Sequence, residues 1–214
     1  MIKYLIELLD WIYKKKCYFC KSSKEAVRMC SKCYDKLIHL PAQANRIIDG
    51  INIYCAGNYS NELQKLIRGL KYHKQKDLAY YQAKFMYEYW NKLEIKGNFQ
   101  VIPVPLHKNR IKKRKYNHME LVSTEFCNMT GYTPNFEIIK RIKDTKPQYK
   151  LTKHQRSENL KNAFVIDKNK IIKNKKILIT DDICTTGSTF EEIISEFKKA
   201  GISDIICFAT TTPF

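Results

Sequence analysis

Residues 177 to 189 read Ile-Leu-Ile-Thr-Asp-Asp-Ile-Cys-Thr-Thr-Gly-Ser-Thr, and their types and order suit a phosphorylated ligand. A short apolar run ends in two carboxylates, Asp181 and Asp182. A loop of small hydroxyl residues around Gly187 follows, then a helical pattern from Phe190 to Ala200. Glycine lets the backbone approach an anion. The hydroxyls of Thr185, Thr186, Ser188 and Thr189 can donate to it, and the N–H groups at a helix start point at it. Two carboxylates would repel a bare phosphate, so Asp181 and Asp182 suit sugar hydroxyls, or a magnesium ion that carries them. A ligand with both a phosphate and a diol, as a ribose 5-phosphate has, satisfies both halves of the segment.

A second set of residues suits a metal. Cys17, Cys20, Cys30 and Cys33 form C-x2-C-x9-C-x2-C. Each C-x2-C pair makes a tight knuckle that offers two thiolates to one ion, and two knuckles complete a tetrahedral zinc site. With all four positions filled by protein, such a zinc is structural and has no place for a substrate water. Disulfides are disfavoured in the reducing cytosol, and a thioredoxin-like redox pair would need a strand–helix junction in a larger fold. A segment as short as 15 to 40 needs the metal to fold. Cys55, Cys127, Cys184 and Cys207 lie in apolar surroundings and read as buried thiols.

The elements that position these groups alternate. Ile51 to Tyr59 reads as a strand. Asn61 to Lys71 reads as a helix on Leu63, Leu66, Ile67 and Leu70, and Leu78 to Leu93 as a second helix with Phe85, Met86, Tyr89 and Trp90 buried. Asn98 to Val104 is a strand ending in Pro-Val-Pro, followed by a basic loop over 107 to 115 and a helix over 119 to 129. Pro134 to Ile142 reads as a strand, 143 to 162 as a long polar loop, and 164 to 167 as an extended piece. Ile177 to Thr180 is the central strand, 189 to 200 a helix, and 204 to 210 the last strand. Pro41 to Asp49 reads as a linker. This order predicts an α/β fold with a parallel sheet, whose ligands bind at the carboxyl ends of strands. Asp181, Asp182 and the loop after Val104 lie at such ends.

Charge points to polyanions. The chain of 214 residues carries 39 basic and 21 acidic side chains, a net +18. Lys108 to Lys115 alone holds +6, and Lys140 to Lys176 holds +10. Such concentration favours nucleotides, pyrophosphate or nucleic acid, with a solvated, solubilising lysine face as the alternative for 168 to 176 and, less so, for 108 to 115. Met1 to Tyr13 carries Lys3, Glu7, Asp10 and Lys14 on one side of an amphipathic helix too short to span a bilayer. Packing on the neighbouring small domain is its ordinary fate, and peripheral contact with the inner face of the membrane is the alternative. The expected location is cytoplasmic.

The chain resembles the ComF family of competence proteins, and its main domain resembles the type I phosphoribosyltransferases. The resemblance rests on the four cysteines; on Leu66-Ile67-Arg68-Gly69-Leu70-Lys71-Tyr72; on Pro103-Val104-Pro105-Leu106 with Arg110; on Gln148, Leu151, Arg156 and Asn159; and on residues 181 to 189. It implies an N-terminal helix and four-cysteine zinc finger over 1–45. A type I phosphoribosyltransferase fold, a Rossmann-like parallel sheet flanked by helices, would occupy 46–214. It also implies phosphoribosyl pyrophosphate with magnesium as ligand. Asp181 and Asp182 would face the ribose hydroxyls, and Thr185, Thr186, Gly187, Ser188 and Thr189 would wrap the 5′-phosphate. Arg110 would lie near the pyrophosphate, and 143 to 162 would form a lid carrying Arg156. The family has Arg-Gly-Phe-Asn-Gln where this chain has Arg114-Lys115-Tyr116-Asn117-His118. Lysine disfavours the positive φ that glycine allows, and His118 reads as a tolerated amide replacement rather than a base.

Two functions follow from the resemblance. One is a competence protein of natural transformation that handles incoming single-stranded DNA through Lys108, Arg110, Lys112, Lys113, Arg114 and Lys115. Tyr72, Tyr80, Tyr81 and Tyr116 would serve as stacking surfaces, or simply as helix packing. A DNA-import helicase or another competence protein would be its partner. The other is an active phosphoribosyltransferase, for which no residue set identifies an acceptor or a catalytic group.

Overall fold

Ile177 through Thr180 are buried without interruption, on both faces of their strand, which is the signature of a central parallel strand. The computed structural model describes residues 15–145 and 152–213, without the side chains of 153, 154, 156 and 157. The Met1–Tyr13 helix therefore lies outside the described residues. The chain divides into two compact units between Ile38 and His39. Residues 39 to 45, grouped by sequence with the cysteines, bond to the larger unit: Leu40 N donates to Ala56 O at 2.8 Å, and Asn45 Oδ1 accepts from Cys55 N at 2.6 Å.

In the smaller unit the chain folds around its cysteines. Lys21 N donates to Cys17 O at 2.9 Å, closing the first knuckle with Lys21 at φ 66°. The second knuckle runs into a single helical turn, α1 (Ser31–Tyr34), whose first N–H donates to Glu25 Oε2 at 2.9 Å.

The larger unit is α/β. Among its described residues, the main sheet has six strands. They are β1 (Arg46–Ile48), β2 (Ile51–Asn58), β3 (Phe99–Pro103), β4 (Thr133–Pro134), β7 (Lys176–Ile183) and β8 (Ile205–Thr212). Their order is β1-β2-β8-β7-β3-β4, parallel throughout except for the β1–β2 hairpin. A separate antiparallel pair, β5 (Ile139–Arg141) and β6 (Phe164–Ile166), stands beside it.

Strand alternation assigns the two faces. On one face Ile177, Ile179, Ile53, Cys207 and Ile102 meet Phe190, Ile193, Ile194 and Phe197 of α7 (Ser188–Lys199) and Phe164 of β6. The four α7 residues fall at i, i+3, i+4 and i+7, and each stabilises the fold by roughly 1.5–3 kcal/mol on burial. On the other face lie α2 (Asn61–Tyr72), α3 (Ala79–Lys92) and α5 (His118–Thr130). Trp90 meets Phe99 edge-on at 5.6 Å, and Ser123 Oγ bonds Thr180 Oγ1 at 2.9 Å.

Four sequence expectations are corrected. The basic stretch is a helix, α4 (Lys108–Arg114), not a loop. Its sequence has no apolar stripe, but His107 Nδ1 caps Asn109 N, and the basic last turn suits the negative end of the helix dipole. The linker contains β1, and the strand expected over 134 to 142 is only the short β4 and β5. The long polar loop contains α6 (Lys153–Leu160). No helix among the described residues is long and apolar enough to cross a membrane.

Candidate functional site

β7 delivers its two carboxylates in opposite directions, because successive residues of a strand face opposite sides. Asp182 shares the side of Leu178 and Thr180. It is 5% exposed, and its Oδ2 accepts from Lys71 Nζ of α2 at 2.6 Å and from His118 Nε2 of α5. Burial opposes ionisation of Asp182, but the Lys71 charge and the His118 hydrogen bond outweigh it and hold the carboxyl well below the usual range. Asp181 shares the other side and is half-buried. Burial, and then the charge on Asp182, push it up to about 8. The pair therefore divides its labour: Asp182 is committed to the protein, and Asp181 faces the site.

His118 is the centre of a chain of hydrogen bonds. Burial holds the ring down to about 4, against the pull of Asp182, so it is neutral at pH 7. A neutral ring that donates from Nε2 to Asp182 must accept at Nδ1, and Arg114 Nη1 lies 2.8 Å from that atom. Arg114, from the basic helix, is thus connected through His118 to the acid at the strand end. One donated and one accepted hydrogen bond are what an amide side chain could also provide here, in keeping with the reading of His118 as an amide replacement. Lys115, which follows, adopts φ 74° at the end of α4, the left-handed conformation its type disfavours.

The loop after β7 has the geometry of an anion cradle. Gly187 takes φ 85° as N-cap of α7, Thr186 Oγ1 bonds Ser188 Oγ at 2.8 Å, and Ser188 is buried. A Cβ on Gly187 would lie 2.6 Å from Ile48 Cδ1 and 3.2 Å from Arg46 Nη1. The edge strand β1 thus brings a cation, Arg46, against the loop. Thr185 and Thr189 flank this turn, both half-buried.

Opposite, the strand β3 ends at Pro103, and Val104 N donates to Thr180 O at 2.8 Å. α4 starts here. Asn109 Nδ2 donates to Asp144 Oδ2 at 2.6 Å, and Arg110 Nη2 to Thr145 O at 2.9 Å. Arg141 of β5 is buried beside them. Arg156 lies on α6, and its side chain is outside the described residues. Lys71, Arg46 and Arg141 were missed by sequence. Lys71 sits in the motif 66 to 72, but nothing local says that it reaches Asp182; for the two arginines no sequence signal exists.

A basic, aromatic surface borders the site. Tyr72 is 62% exposed with the Arg114 guanidinium 5.7 Å from its ring centre, and Lys76 Nζ lies 5.0 Å from the Tyr116 ring. Tyr80 is 46% exposed, and Tyr81 and Tyr116 are half-buried. Lys108, Lys112, Lys113 and Lys115 are exposed.

In the smaller unit the Sγ atoms of Cys17, Cys20, Cys30 and Cys33 lie within 4.8 Å of one another. Tetrahedral thiolates around one zinc stand about 3.8 Å apart, given a Zn–S bond of about 2.3 Å. Burial, and then the neighbouring thiols, push Cys33 up to about 12, whereas at Cys17 burial is outweighed by backbone hydrogen bonds from Cys20 and Cys30 that bring it down to about 6.

The Phosphoribosyl transferase domain family matches residues 122–212, which contain β7, the cradle and α7. The chain is 27% identical over 199 residues to Competence protein F of Haemophilus influenzae, across 88% of this chain and 86% of that protein. DNA utilization protein YhgH of Salmonella typhimurium is 23% identical over 198 residues, across 88% of this chain and 86% of its own length. A hypoxanthine/guanine phosphoribosyltransferase of Methanotorris igneus is 36% identical over 78 residues, 36% of this chain and 42% of that enzyme.

Proposed function

We propose that this chain, a ComF-like protein with a phosphoribosyltransferase domain and a four-cysteine cluster, binds phosphoribosyl pyrophosphate at residues 181 to 189. We also propose that it handles single-stranded DNA on its basic helix. The observation that carries the reading is the cradle: Gly187 in the left-handed conformation, opening α7 beside Asp181 at the carboxyl end of the central strand. Asp181 would meet the ribose hydroxyls, Thr185 to Thr189 the 5′-phosphate, and Arg110 the pyrophosphate. Asp181 and the loop hydroxyls are hard oxygen donors of the kind magnesium takes, and the ion would offset the charge of the diphosphate. The names of two relatives, a competence protein and a DNA utilization protein, support a role in handling DNA, for which the cytoplasm is the expected place. A helicase or another competence protein is the expected partner.

For DNA, the supporting observation is six cations over 108 to 115 beside the exposed ring of Tyr72. Affinity for an unstructured oligonucleotide will fall at least tenfold between 50 and 200 mM salt, since each phosphate contact contributes about 0.7 to the slope of log K against log salt. Lys112→Ala with Lys113→Ala will reduce that slope. Salt-independent affinity would exclude this surface.

The metal is proposed to be a structural zinc held by all four cysteines. One zinc per chain will be released on thiol modification of the native protein, and Cys30→Ser will carry less than one. A full zinc load in that variant would refute the four-thiol site.

The second reading is catalysis. Loss of pyrophosphate from the anomeric carbon builds negative charge on the leaving group, which Arg110 would stabilise. Phosphoribosyl transfer to an acceptor would release pyrophosphate, and Asp181→Ala would stop it.

A further inference from the structure

The basic helix α4 has no apolar face to hold it. None of its seven residues is buried, so the hydrophobic packing that orients most helices does not set its direction. Its bonds to the rest of the fold are polar. Arg110 and Arg114 stand four residues apart and both reach inward: Arg110 Nη2 donates to Thr145 O at 2.9 Å, and Arg114 Nη1 lies 2.8 Å from His118 Nδ1. Lys108 and Lys112, each two residues earlier, fall about half a turn away on the opposite face and are exposed.

Asp144 holds the first turn. Its Oδ2 accepts from Asn109 Nδ2 at 2.6 Å, and its Oδ1 lies 3.4 Å from Nδ1 of His107, the residue that caps the helix. A bond to an ionised carboxylate is stronger than one between neutral groups, and the Asn109 hydrogen bond holds the Asp144 carboxyl below its usual range. By charge alone Asp144 opposes a polyanion surface. It is exposed, with Arg110 and Arg141 within electrostatic range, and it weakens the positive field of the six cations over 108 to 115.

We propose that Asp144 is a positioning residue for nucleic acid: by holding Asn109 it turns α4 so that Lys108, Lys112 and Lys113 face outward together. This rests on the reading of α4 as a surface for single-stranded DNA and deepens it. Asp144 touches no nucleic acid itself, and its effect on affinity is opposite in sign to its charge.

The test is fluorescence anisotropy of a labelled oligothymidylate titrated with the full chain at about 50 to 200 mM salt. Wild type is compared with Asp144→Ala, Asp144→Asn, Asn109→Ala and the double alanine variant. If charge alone mattered, both Asp144 variants would bind more tightly than wild type, and equally so. Positioning predicts a split. Asp144→Ala and Asn109→Ala will each lose about fourfold or more at about 150 mM salt, the worth of one phosphate contact, and each salt slope will fall by about 0.7. Asp144→Asn keeps an oxygen for Asn109 and will bind at least as tightly as wild type. The double variant will lose no more than the larger single loss, because both changes break one bond. If Asn109 contacted DNA directly, the losses would instead add. Asp144→Ala at or above wild-type affinity would overturn the proposal, as would additive losses or an Asp144→Asn as weak as Asp144→Ala. If Asp144→Ala does not fold, Asn109→Ala decides: a loss supports the positioning role, and unchanged affinity overturns it. A wild type without salt-dependent affinity would remove the DNA reading itself, and the positioning role with it.

Discussion

Asp182→Ala will destabilise the fold by about 3–5 kcal/mol, the range for removing one partner of a buried ion pair, whereas Asp181→Ala will change stability by less than about 1 kcal/mol. The reason is the alternation of β7. Asp182 is buried with Lys71 Nζ at 2.6 Å and His118 Nε2 on the same oxygen. Removing it strands a mostly buried ammonium, its side chain 17% exposed, and leaves the His118 N–H without its acceptor. Asp181 is half-buried, and its shift up to about 8 shows that the fold disfavours its charge. Ligand binding should rank them differently, with Asp181→Ala abolishing sugar-phosphate affinity in a folded protein. Urea unfolding of the two variants checks this. Equal losses of stability would contradict the division of roles.

Acidification from pH 6.5 towards 4 will destabilise the wild type relative to His118→Gln by about 1.4 kcal/mol per pH unit, about 3 kcal/mol over the window. The sign follows from linkage. Burial holds the folded ring down to about 4, while the unfolded ring titrates near 6.5. Between these values the unfolded chain binds a proton that the folded chain refuses, so stability falls as pH falls. Asp182, whose carboxyl is held low, loses its contribution only below the ordinary value of 3.8. Asp181, held high, contributes with the opposite sign but is present in both proteins and cancels in the difference. Urea midpoints measured at half-unit steps give the comparison, and a pH-independent difference would show that His118 is not buried as a neutral ring.

The chemistry legible in the sequence is the chemistry carried by local spacing. Two C-x2-C pairs, and a strand ending in acids, small residues and a helix, need only neighbouring residues to be recognised. The helices with clear 3.6-residue stripes, such as Leu63, Leu66, Ile67 and Leu70, were readable for the same reason. The opposite facing of Asp181 and Asp182 was also implicit, since it follows from the period of a strand, but the shared acid loop drew both towards one ligand. What the sequence hides is long-range pairing. Lys71 and His118 reach Asp182 from 111 and 64 residues away, and Arg46 reaches the cradle from an edge strand of three residues. A helix made of Lys-Asn-Arg-Ile-Lys-Lys-Arg has no apolar face to announce it, and is fixed by its cap and by bonds from Asn109 and Arg110 to residues 144 and 145.

The most direct test of the account is titration of the native protein with phosphoribosyl pyrophosphate and magnesium, with pyrophosphate release followed in the same sample. The account predicts saturable one-to-one binding that Asp181→Ala abolishes, and release of pyrophosphate would add catalysis to it. A wild-type chain that shows no binding at millimolar ligand would contradict it.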